Sequence, residues 1–90
     1  MRVWSACRSG HVQSVALLQF DEETVELDEP LLRNLYEELW RVAGDERGAV
    51  TAAARLRHVI AYGGERPRLV AFEDPEATVV RAALARINGA

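Results

Sequence analysis

The chain contains no lysine: all eleven of its basic side chains are arginine. That absence removes a Schiff-base amine, a phosphate-loop lysine and a lysine general base from the chemistry available to it. Cysteine occurs once, as Cys7, so an intramolecular disulfide scaffold is excluded. No apolar run approaches the ~18 residues of a membrane span. The first twenty residues alternate polar and apolar and lack the continuous apolar stretch of a signal peptide. The expectation is a cytoplasmic protein without membrane contact. Lysine codons are A-rich, so the arginine bias, with abundant Ala, Val, Leu and Gly, points to a GC-rich, bacterial coding style.

Apolar residues make up 49% of the 90-residue chain, enough for one packed domain over residues 1–90 without a metal or disulfide. The net charge of −3 is uneven. Residues 1–20 carry +2, residues 21–50 carry −7 and residues 51–90 carry +2. An extended nucleic-acid footprint normally makes a domain basic, and the acidic middle would repel phosphates. A local arginine patch in the second half stays open as an alternative.

Periodicity predicts an α+β domain of order βββααβα, with an N-terminal antiparallel β-meander. Val3–Cys7, Val12–Phe20 and Thr24–Asp28 read as strands, with a two-residue hairpin turn at Ser9–Gly10 and Phe20 paired with Val25 across the acidic turn. In that register Val3, Cys7, Val12, Ala16, Leu18, Phe20, Val25 and Leu27 share the core face. Asp28-Glu29-Pro30 opens a first helix by capping. Its leucines, Tyr36 and Trp40 form an apolar stripe, Arg33, Glu37 and Arg41 form i,i+4 pairs, and Gly44 ends it. A second helix is expected from about Glu46 to Tyr62, with Ala49, Ala52, Ala53, Leu56, Val59, Ile60 and Gly63 on one stripe, stopped by left-handed glycine at Gly63-Gly64. A short strand over Arg68–Phe72 follows. A last helix is opened by Asp74-Pro75-Glu76 and buries Val80, Ala83, Leu84 and Ile87.

Candidate chemistry is sparse. Cys7 and His11 suggest a nucleophile and base. Positions four apart on one strand lie ~13 Å from each other, and a hairpin at Ser9–Gly10 sets them on opposite sheet faces, so a small buried cysteine is the better account. Cys7, His11 and His58 match no zinc spacing. Asp21-Glu22-Glu23 lacks the glycine and alternating oxygens of a calcium loop. No metal or cofactor is expected.

Two surfaces stand out as partner-binding candidates. Arg55, His58 and Tyr62, with Thr51, lie along one face of the second helix, and arginine and tyrosine are favoured where proteins meet. A solvated helix face, partly neutralising the acidic first helix, explains the same pattern. The predicted meander also sets Trp4, opposite Val15, and Leu17 on the second sheet face, where a helix of this chain or another chain would cover them, or a substrate groove would be lined by them. The functional expectation is a non-enzymatic protein–protein interaction domain, a homodimer or small partner subunit, that uses one of these surfaces. The alternatives are a regulator contacting nucleic acid through an arginine patch and a small enzyme using Cys7 or a histidine.

Overall fold

A computed structural model describes residues 2–5 as backbone and residues 14–20, 22–63 and 66–88 in full. The fold is a small mixed α/β domain: β1 (Arg2–Ser5), β2 (Ala16–Phe20), β3 (Glu23–Leu27), α1 (Glu29–Arg41), α2 (Ala49–Tyr62), β4 (Arg68–Phe72) and α3 (Glu76–Ile87). The strands form one sheet in the order β1-β3-β2-β4.

The meander is corrected by this order. Only β2 and β3 are antiparallel; β1 runs parallel to β3, and β4 runs parallel to β2. The hairpin between β1 and β2 is not formed, because β3 lies between them. In this order β3 is paired by β1 and β2, and β2 by β3 and β4, so the two strands richest in buried residues among those described are central and β1 and β4 are the edges. Ser9 and Gly10, the expected turn, lie outside the described residues.

The β2–β3 hairpin forms in a different register from the expected one. Phe20 pairs with Glu23 and Leu18 with Val25, where Phe20 was expected opposite Val25. The offset is two residues, and side chains alternate with a period of two, so the faces are unchanged. Ala16, Leu18, Phe20, Val25 and Leu27 are all buried together in the core, joined by Val70 and Phe72 of β4. Val3, Cys7 and Val12 of the expected core face lack described side chains.

The three helices cover this one face, so the described elements form two layers. Asp28 caps α1 as expected, its Oδ1 accepting from the Leu31 amide at 2.9 Å, with Pro30 in the first turn. Leu31, Leu32, Leu35 and Leu39 are buried, each such leucine contributing ~1.5–3 kcal/mol relative to exposure. Trp40, placed on that stripe by spacing, is instead 45% exposed and meets Tyr36 edge-on at 6.3 Å. The ion pairs also shift along the helix: Arg33 bonds Glu29, and Arg41 bonds Glu38. The helix closes at Arg41, before Gly44.

α2 starts three residues later than expected, behind Gly48 at φ +91°. A side chain there would be strained, and its Cβ would come within 3.3 Å of the Glu76 amide nitrogen at the start of α3. Ala49, Ala52, Ala53, Leu56 and Val59 are buried, as their spacing predicts. Gly63 ends α2 with φ −63°, correcting the left-handed expectation. Its lack of a side chain serves space, because a Cβ would lie 2.6 Å from the Val59 carbonyl oxygen. Gly64 lies outside the described residues. In α3, Asp74 does not cap the backbone; its Oδ1 accepts from the Thr78 hydroxyl at 2.6 Å. Val79, Val80, Ala83 and Leu84 face the core.

Candidate functional site

The strand order decides which expected surfaces exist. The expected pairing of Trp4 with Val15 does not form. The backbone of Trp4 aligns with Val25 on β3, not with Val15. Val15 precedes β2, where its amide donates to the Leu27 carbonyl at 2.8 Å. It is half-buried against the core, lining a small recess with Leu32, Val59 and Ile60 on the helix side. Leu17 stays on the second sheet face, half-buried, and its register partner is Leu69.

That pairing directs attention to β4. It is the last strand of the sheet, and among the described residues no strand pairs with its outer side. Leu69 and Ala71 point away from the helices; Leu69 is 60% exposed. Arg68, Val70 and Phe72 point toward them, with Val70 and Phe72 buried. Pro67 stands just ahead of the strand, so the usual edge-blunting residue guards only its beginning.

The second expected surface borders this same edge. Arg55, His58 and Tyr62 are all exposed along α2, and the His58 and Tyr62 rings lie 4.8 Å apart, tilted by 47°. Arg55 and His58 join Val59, Arg68, Leu69 and Val70 around an open groove of about 240 Å³. The Arg68 Nη2 donates to the Tyr62 carbonyl at 3.0 Å, tying the start of β4 to the end of α2. Arg55 lies 4.9 Å above the Phe72 ring and 3.6 Å from the Glu76 carboxylate. Its charge is therefore balanced by α3 and not by the acidic α1. Glu76 Oε2 is buried and accepts no hydrogen bond, so Arg55 is the group compensating it through space.

Sequence reasoning missed the contribution of β4. The signal was present in Leu69 and Ala71, two apolar residues at alternate positions that no core required. Also missed was the aromatic step of Phe20 on Phe72, rings stacked at 5.8 Å on paired positions of β2 and β4. Arg81 of α3 covers the Phe20 ring at 5.2 Å and pairs with Glu23 at 3.7 Å, so both rings carry a guanidinium.

Chemistry-bearing side chains are few among the described residues. Cys7 and His11 lie outside the described residues. His58 sits on an exposed helix face beside a phenol and two arginines, with no carboxylate to orient it among its ring and groove neighbours. Among the described residues no cluster of three or more His, Cys, Asp and Glu could hold a metal, and no helix is long and apolar enough to cross a membrane. No protein-family model, curated protein or solved structure matches the chain.

Proposed function

We propose that the chain is a non-enzymatic protein-interaction domain, working in the cytoplasm, whose partner docks along the β4 edge and the neighbouring face of α2. The observation that carries this reading is Leu69: a large apolar side chain left 60% exposed on a strand whose outer side pairs with no strand among the described residues. Such an edge offers unpaired backbone groups and apolar surface together, which is what strand addition by another chain uses. Arg55, His58 and Tyr62 supply the polar and aromatic rim common to interfaces.

The rival reading, nucleic acid held by arginines, has less support at this surface. Arg55 is engaged by Glu76 and Phe72, and Arg68 by the Tyr62 carbonyl. The test is capture of partners from source-cell extract by immobilised wild type, Leu69→Asp, Tyr62→Ala and a control, Glu37→Lys, on α1. Partners retained by the control and lost by the two rim variants are the expected result. Equal capture by all four chains overturns it. Oligonucleotide binding that weakens steeply with salt would transfer the surface to the rival reading.

A further inference from the structure

We infer that the occupant of the β4 edge is a second copy of this chain, joined by antiparallel pairing of the two β4 strands about a twofold axis at Val70. This deepens the partner-binding reading above and rests on it.

Backbone direction comes first. Along a strand, the N–H and C=O of one residue point to the same side, and successive residues alternate. The Arg68 amide donates to the Val15 carbonyl at 3.2 Å, so Arg68 addresses β2. Val70 and Phe72 share that direction. Leu69 and Ala71 therefore direct their amides and carbonyls to the open side. A twofold axis at Val70 sets Leu69 of one copy directly opposite Ala71 of the other. In an antiparallel ladder that is a hydrogen-bonded pair: each Leu69 N–H donates to an Ala71 carbonyl, and each Ala71 N–H to a Leu69 carbonyl. The pattern closes on itself, with the two Val70 residues forming the intervening non-hydrogen-bonded pair. Pro67 fits the same scheme. It falls opposite Glu73 of the other copy, at the next hydrogen-bonded position; its carbonyl can accept the Glu73 amide, and the N–H that proline lacks costs little there because the Glu73 carbonyl already accepts from the Ala77 amide at 3.1 Å.

Charge then selects this occupant. The segment Arg66-Pro-Arg-Leu-Val-Ala-Phe-Glu-Asp74 is basic where the strand begins and acidic where it ends, and Arg66, Arg68, Glu73 and Asp74 are all exposed. Antiparallel self-pairing brings the Arg66–Arg68 end of each copy beside the Glu73–Asp74 end of the other. A parallel arrangement would stack like charges at both ends. The self-complementarity is what an isologous interface demands. On the solvent face, Leu69 and Ala71 become cross-strand neighbours beside Leu17, which covers part of the exposed leucine.

Analytical ultracentrifugation across a concentration series tests the proposal, with folding followed by circular dichroism. Wild type should be a dimer. Ala71→Pro removes an outward-pointing donor and none of the bonds to β2, so it should fold and dissociate about tenfold or more readily. Arg66 falls opposite Asp74 of the other copy, so Arg66→Glu and Asp74→Arg should each weaken self-association by setting like charges together. An equimolar mixture of the two should recover dimer, since both ends of the mixed pair are then attractive. A wild type that stays monomeric at the highest concentrations overturns the second copy, and the Leu69→Asp capture result then decides the wider reading separately. A dimer indifferent to Ala71→Pro, or charge variants that do not recover on mixing, also overturns it.

Discussion

The α1–α3 seam and the α2–β4 rim use similar residue types and end up opposite in character. At the seam, the Glu38 side chain is only 14% exposed and lies between Arg41 of its own helix and Arg86 of α3. Hydrogen bonds from Arg41 and then Arg86 hold its carboxyl down at about 2 from an ordinary 4.5, against the opposing effect of burial. The leucines beneath are fully covered. At the rim, Arg55 also has an ion pair and Arg68 a carbonyl, but Tyr62 and Leu69 remain 65% and 60% exposed. The seam has two helices to enclose its apolar atoms; the rim has one helix and the last strand of a sheet. An arginine can be satisfied at a boundary by one acceptor, whereas a leucine needs a covering surface.

Truncations should separate the two regions most clearly. Leu39→Ala, beneath the seam, should destabilise the fold by about 2–5 kcal/mol. Leu69→Ala should change stability by less than about 0.5 kcal/mol while weakening partner capture. Chemical denaturation of both variants checks the contrast, and a Leu69 variant as unstable as the Leu39 one would make the rim part of the core. Gly48→Ala should come next, at about 1–3 kcal/mol, because φ +91° strains any side chain. Near-wild-type stability would mean that the α2–α3 junction can relax. Last comes Glu38→Gln, whose cost should fade in high salt. The folded carboxyl titrates below its ordinary value, so its contribution is complete above about 4.5. It declines as pH falls through that window and is gone below about 2. Wild type and Glu38→Gln should thus converge in acid-unfolding curves, and a gap that persists below that window would assign the seam to packing.

Local patterns were readable where the cause was local. The Asp28 cap, the proline after it and the leucine spacing of α1 all act within a few residues, and the helix formed where they placed it. The faces of β2 and β3 were also readable, since alternation survives an even change of register. Gly48 was not recognised as a helix start because its role depends on Glu76, far along the chain. The partner-binding candidates divided in the same way. Arg55, His58 and Tyr62 share a surface because helical spacing alone puts them there. Trp4, Val15 and Leu17 were grouped through a strand pairing that did not form.

What the residues alone determined was the order of the elements and the inward side of most of them, because side-chain periodicity is written directly into the chain. Which strand lies beside which was left to the tertiary structure. Backbone amides and carbonyls are the same at nearly every residue, so a strand can pair equally well with several others until the whole core is packed. That choice put β3 between β1 and β2 and left β4 at the margin, with Leu69 uncovered.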